Sequence, residues 1–178
     1  MRYDQLEHAI RAACDVAGDS ELLIFGSQSI LASFPEAPEA LRASIEVDVQ
    51  PKNRPEMTDH IDGALGQDSM FHATHGFYVH GVSIEVATLP TGWLERAVVV
   101  SDSVRTRGGT GRCLEAHDLA ASKLAAFREK DRVFVVTLLS ERLIDGQVLI
   151  MRIRALPVTD EQRDKLIRWA EVTIRDLD

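Results

Sequence analysis

Apolar positions recur at helical spacing over residues 2–17, where Leu6, Ile10, Cys14 and Ala17 share one face, and this predicts an amphipathic helix stopped by Gly18 and Asp19. A short apolar run over 21–25, Leu22 to Phe25 after Glu21, predicts a buried strand, and Ser27 is the expected cap of a short helix over 28–34, ended by the loop holding Pro35 and Pro38. Residues 44–49 alternate: Ile45, Val47 and Val49 are expected to face a core, and Glu46 and Asp48 the opposite side. A helix follows over 54–65, with Met57, Ile61 and Leu65 on one face. The aromatic and histidine-rich stretch 71–79 reads as a strand or an irregular hairpin running into Gly81. Residues 82–87 alternate cleanly and predict a strand, 90–94 a turn or short helical piece, 97–100 a further strand, 105–111 a glycine-rich loop, and 113–114 a short extended step.

Beyond residue 114 the pattern turns helical. Helices are expected over 115–128, 131–142 and 159–174, with Thr159 and Gln162 spaced as a capping box and Gly146 separating the last two helical regions. There are no internal repeats and no low-complexity tract. The expectation is an α+β fold, with a short mixed sheet and N-terminal helix in 1–114 and a helical part in 115–178 packed on it as a single unit.

The alternation over 44–49 also carries the first candidate chemistry. Residues i and i+2 of a strand project from the same face, so Glu46 and Asp48 stand side by side, and two adjacent carboxylates suit a hard cation such as Mg²⁺. Centres of this kind use a third carboxylate, and Glu85 on the polar side of the 82–87 strand is the candidate. Upstream, Gly26-Ser27 at a strand-to-helix turn offers backbone N–H groups and a hydroxyl suited to a phosphate. On a continuous helix, Lys123 and Lys130 lie seven residues apart on nearly the same side, about 10 Å from one another. Lys123 can neutralise triphosphate charge, and Asp131 can orient a nucleophile or a basic side chain.

Composition narrows the function classes. In 178 residues with 45% hydrophobic and 27% charged positions, an ordinary core can form without disulfides. The formal charge of −8 has the wrong sign for a general nucleic-acid coat, although Arg105, Arg107 and Arg112 form one basic group and Lys123, Arg128, Lys130 and Arg132 another. The two cysteines, Cys14 and Cys113, lack zinc-like spacing and read as small core residues in a reducing compartment. His72 and His75 have neither the spacing nor the companions of a zinc motif. Without a signal-like N-terminus or an apolar run long enough to cross a bilayer, a cytoplasmic protein with no membrane partner is expected.

Taken together, Phe25-Gly26-Ser27-Gln28, Ser44-Ile45-Glu46-Val47-Asp48-Val49 and residues 118–131, above all Ser122-Lys123-Leu124 and Arg128-Glu129-Lys130-Asp131, resemble the minimal nucleotidyltransferases of the polymerase-beta-like superfamily. Within that group the chain looks most like the AbiEii toxin-type proteins and their uncharacterised bacterial relatives. The resemblance covers roughly residues 20–135. It implies Mg²⁺-dependent transfer of a nucleoside monophosphate from an NTP to an RNA (tRNA-like) or protein acceptor, in many cases within a toxin–antitoxin pair. It implies Gly26 and Ser27 at phosphate, Glu46 and Asp48 at metal, and Lys123 at the triphosphate. With these, the candidate set is Asp48, Lys123 and Asp131 for catalysis, Gly26, Ser27, Lys123, Arg128 and Lys130 for nucleotide, and Glu46, Asp48 and Glu85 for metal. The sequence departs from the family where Glu46 stands for the commoner Asp, which moves the carboxylate by more than about an ångström. The alternative reading keeps the fold but not the chemistry: an interaction module, antitoxin-like or a scaffold, whose carboxylates hold no metal.

Overall fold

The apolar run before Gly26 becomes the central strand of a five-stranded sheet. The structure, a computed structural model, describes residues 1–177. In chain order the strands are β1 (Glu21–Ile24), β2 (Glu46–Pro51), β3 (Tyr78–Gly81), β4 (Val98–Ser101) and β5 (Thr110–Cys113). They lie in the order β3-β2-β1-β5-β4, with β1–β2 and β4–β5 antiparallel and β1–β5 and β2–β3 parallel. The helices are α1 (Tyr3–Ala17), α2 (Ile30–Ser33), α3 (Glu39–Arg42), α4 (Thr58–Leu65), α5 (Met70–His75), α6 (Trp93–Arg96), α7 (Ala116–Ala126), α8 (Glu129–Ser140), α9 (Gly146–Arg154) and α10 (Asp160–Leu177). This is the α+β class expected, with a short mixed sheet.

Contacts divide the chain into two units. The first holds Met1–Val86 and Ala97–Leu114, and so the whole sheet; the second holds Ala87–Arg96 and the helices from Glu115 onward. In the first, Leu22, Ile24, Val47, Val49 and Val79 are wholly buried, and each contributes about 1.5–3 kcal/mol of burial. Helix α1 presses Ile10 onto β5 so closely that a Cβ on Gly111 would fall 2.7 Å from both Ile10 Cδ1 and Ile24 Cδ1. Glycine is therefore needed there for proximity, not for an unusual backbone angle. Asp19, 6% exposed, ties the start of β1 to the end of β2: its carboxylate accepts from Glu21 N–H, both Asn53 N–H and Asn53 Nδ2, and Arg54 N–H, at 2.7–3.0 Å.

In the second unit, the Glu115 carboxylate caps α7, and His117 joins that cap to the start of α9. The His117 ring donates from Nδ1 to Glu115 and accepts at Nε2 from Asp145 N–H at 2.9 Å. Fully buried Asp118 takes Arg96 in a two-bond fork at 2.8 and 2.9 Å, and Arg152 Nε lies 3.2 Å away. Thr159 accepts from Gln162 N–H as the capping-box spacing predicts, but the Gln162 amide reaches Ala125 O instead of closing the box.

Several local expectations are corrected. Residues 82–87 are not a strand: Ile84–Val86 is a single 3₁₀ turn, and Val86 is 69% exposed. The alternation there misled because no neighbouring strand offers a ladder to it. Residues 70–75 are helical, capped by Ser69 and ended at Gly76 in the left-handed conformation. Ile45 precedes β2 and is half-exposed. The end of the expected 105–111 loop is already strand β5, and Gly146 opens helix α9 where only a separator was expected.

Candidate metal centre

Three side chains converge at the β2–β3 edge of the sheet. Strands β2 and β3 are parallel with Asp48 opposite His80 and Glu46 opposite Tyr78, so the i, i+2 pairs Glu46/Asp48 and Tyr78/His80 share one face. The His80 ring donates from Nδ1 to Asp48 Oδ1 at 2.9 Å, and the same nitrogen lies 3.0 Å from Glu46 Oε1. One donor atom from each of Glu46, Asp48 and His80 lies within 4.8 Å of the others, the one such triad among the described residues. All three are partly open to solvent, at 36%, 24% and 39% side-chain exposure, so a ligand can reach them.

The neighbouring turn fixes Asp48. Gly26 follows β1, and its backbone is extended, not left-handed. A Cβ at this position would fall 1.8 Å from Asp48 Oδ2 and 2.7 Å from Asp48 Cγ. The glycine is thus explained by the carboxylate that packs over it. The expected Ser27 cap is corrected too: Gly26 holds the cap position, and Ser29 closes the turn, donating from Oγ and from its N–H to Gly26 O at 2.8 and 3.0 Å.

Electrostatics bind the cluster together. Burial lowers the affinity of His80 for a proton, but the hydrogen bond to Asp48 and the charges of Asp48, Glu46 and Asp62 outweigh it, leaving its pKa above the ordinary histidine value. Burial and the charges of Glu46 and Asp48, with a hydrogen bond to Glu46, raise Tyr78. A protonated imidazole here offsets one of the two carboxylate charges, which is why the pair favours its charged form.

Glu85 does not belong to this triad. It sits, exposed, on the 3₁₀ turn Ile84–Val86, and His80 stands third in its place. The sequence carried a signal for His80, because Tyr78 and His80 repeat the i, i+2 spacing of Glu46 and Asp48. What it lacked was the parallel register that sets the two pairs side by side.

In the second unit Lys123, Arg128 and Asp131 meet. Asp131 is fully buried and accepts from Arg128 at 2.6 and 3.3 Å and from Lys123 Nζ at 3.5 Å. The Lys123 ammonium also lies 4.5 Å over the Phe134 ring, with its side chain only 13% exposed. Burial depresses the Lys123 pKa against the pull of Asp131. Burial alone would raise Asp131, but Arg128 and Lys123 hold it below the usual carboxylate range. The continuous helix on which Lys123 and Lys130 would share a side does not form: α7 ends at Ala126, Phe127 turns left-handed at φ 55°, and α8 begins at Glu129. Lys130, exposed on α8, is therefore not in helical register with Lys123.

The remaining candidates have structural partners. Arg105 meets Glu7 at 3.3 Å, Arg107 meets Asp15 at 3.9 Å and Arg112 meets Glu21 at 2.6 Å. Burial raises the Cys14 thiol to about 11 and Cys113 to about 12, so neither is a nucleophile at neutral pH. His8 and His75 pack edge to face at 4.4 Å between ring centres, beside Phe71 and Phe77. No helix among the described residues is long and apolar enough to cross a membrane.

Neither the curated proteins nor the solved structures returned a match. Residues 3–173 match a protein family, which is nearly the whole chain. Glu46, Asp48 and Gly26 in the sheet unit, and Lys123 in the helical unit, lie within the matched span. The chain belongs to the DUF6036 family, nucleotidyltransferases of unknown function.

Proposed function

We propose that the protein transfers a nucleoside monophosphate from an NTP to a macromolecular acceptor, with a divalent cation held by Glu46, Asp48 and His80. The observation that carries this reading is the convergence of those three donors beside the Gly26 turn. Their chemistry fits a cation: two negative charges, three donor atoms within 4.8 Å, and access for phosphate and water. Mg²⁺ is the ion that the carboxylate pair alone calls for. When bound, the cation would supply charge neutralisation at phosphate oxygens.

In this reading the chain's own residues orient and neutralise. Glu46 and Asp48 would hold the ion, and Asp48 is kept in place by its packing over Gly26. The Gly26-Ser27 turn faces phosphate oxygens. The acceptor hydroxyl gives up its proton to solvent and forms its bond to the α-phosphorus as the bond to the pyrophosphate oxygen breaks and pyrophosphate leaves, so geometry and charge stabilisation supply most of the rate. Lys123, Arg128 and Lys130 retain the nucleotide role expected of them, and Asp131 positions two of these cations. Their part is tested by Lys123→Met, which should weaken NTP binding several-fold while leaving metal affinity unchanged.

The acceptor in this proposal is an RNA 3′ end or a protein hydroxyl, and the setting a toxin–antitoxin pair; the support is the resemblance of residues 20–135 to AbiEii-type proteins. The test is label transfer from each α-labelled NTP to separated RNA and protein fractions. Label in one fraction names the acceptor class, and label in neither counts against the proposal. One observation favours a second reading, a non-catalytic interaction module: His80 Nδ1 already lies 2.9 Å from Asp48 and 3.0 Å from Glu46, a contact to both carboxylates that needs no metal.

A further inference from the structure

The third donor of the centre is a nitrogen, and this bears on which ion it takes. We propose that Glu46, Asp48 and His80 Nδ1 form a mixed carboxylate–imidazole centre that selects a first-row transition divalent ion over Mg²⁺. This rests on reading the cluster as a metal centre.

Three features carry it. The first is placement: the parallel β2–β3 register sets His80 directly opposite Asp48, so the imidazole is delivered by backbone pairing and not by a mobile loop. The second is aim: Nδ1 lies 2.9 Å from Asp48 Oδ1 and 3.0 Å from Glu46 Oε1, so the three donor atoms already surround one position. The third is the donor set: among the described residues the group whose donor atoms lie within 4.8 Å of one another holds no third carboxylate, and Glu85 lies on the exposed 3₁₀ turn. Mg²⁺ takes oxygen ligands in a near-ideal octahedron and gains little from an imidazole. Mn²⁺, Fe²⁺ and Co²⁺ accept both carboxylate and imidazole, and their affinity for such sites rises along that series. Mn²⁺ combines this with tolerance for phosphate oxygens and is the suitable probe.

The test uses the whole chain and Mn²⁺ as the ion, read by electron paramagnetic resonance rather than by activity. The wild type should bind Mn²⁺ and release it only to Mg²⁺ in more than about tenfold excess, the scale on which metal-site partners act. Pulsed measurement should show nitrogen coupling to the bound Mn²⁺, which changes isotope in protein labelled with ¹⁵N-histidine and disappears in His80→Asn. His80→Asp, which replaces the nitrogen by a third carboxylate, should still bind but lose the preference for Mn²⁺. Mn²⁺ bound with no histidine coupling, or displaced equally well by Mg²⁺ in wild type and His80→Asp, overturns this proposal and leaves the metal-dependent reading standing. No bound Mn²⁺ and no bound Mg²⁺, with or without each of the four NTPs, overturns both.

Discussion

Gly26 shows how one residue decides a site. Its backbone is in a region open to any amino acid, so its value lies in the missing side chain, whose place Asp48 occupies. Gly26→Ala should push the Asp48 carboxylate away from the position it shares with Glu46 and His80. A displacement of about 1 Å can cost about 100-fold in rate, so nucleotidyl transfer and metal affinity should fall together while the melting temperature changes little. Unchanged metal affinity in this variant would show that Asp48 can yield without consequence. Asp19 makes a separate, purely structural prediction. Burial alone would raise its pKa, but hydrogen bonds from Glu21, Asn53 and Arg54 lower it below the ordinary carboxylate value. A depressed carboxylate stabilises the fold above its unfolded pKa of about 3.9, and this contribution is lost as pH falls through the native value. Asp19→Asn should therefore destabilise by about 2–3 kcal/mol at pH 7, and the gap from wild type should narrow below pH of about 4 in denaturant titrations.

At the scale of elements, what the sequence revealed and what it hid divide along a physical line. Strand β2 and helices α1 and α10 were legible because each buries one face, and burial imprints a period on the chain, while β1, buried on both faces, showed as a short apolar run. The carboxylate pair was legible for the same reason. The His80 contribution was not, because register between strands distant in sequence leaves no local trace. The false strand at 82–87 is the converse case: a period-2 pattern without a neighbour to pair with. A break between the two helices was legible, but its place was not: α7 ends at Ala126 because Phe127, a residue with no propensity for it, turns left-handed. There the ring is held by Trp169 at 6.1 Å and by the cations of Lys165 and Arg132 at 4.5 and 5.1 Å. Those contacts offset a backbone cost of about 1–2 kcal/mol. Two variants separate the terms: both Phe127→Ala and Phe127→Gly lose the ring contacts, but only glycine relieves the strain. Phe127→Gly should be the more stable of the two by about 1 kcal/mol; equal stability would mean that the turn is unstrained.

For the molecule as a whole, charge and family point in one direction. The net charge of −8 and the pairing of Arg105, Arg107 and Arg112 with carboxylates weaken the case for non-specific RNA binding through that basic group. The family places the chain among nucleotidyltransferases, and the Glu46–Asp48–His80 cluster supplies donor atoms for the ion such chemistry uses. The central claim is that this cluster transfers the nucleotidyl group itself. It is tested most directly by offering wild type and Asp48→Asn the same NTP labelled at the α- or the γ-phosphate, with Mg²⁺ or Mn²⁺, and a mixed RNA and protein acceptor pool. The account predicts α-label in the acceptor with wild type, none from the γ-label, and loss of transfer in Asp48→Asn at unchanged melting temperature. Transfer of γ-label, or α-label that persists in Asp48→Asn, would contradict it.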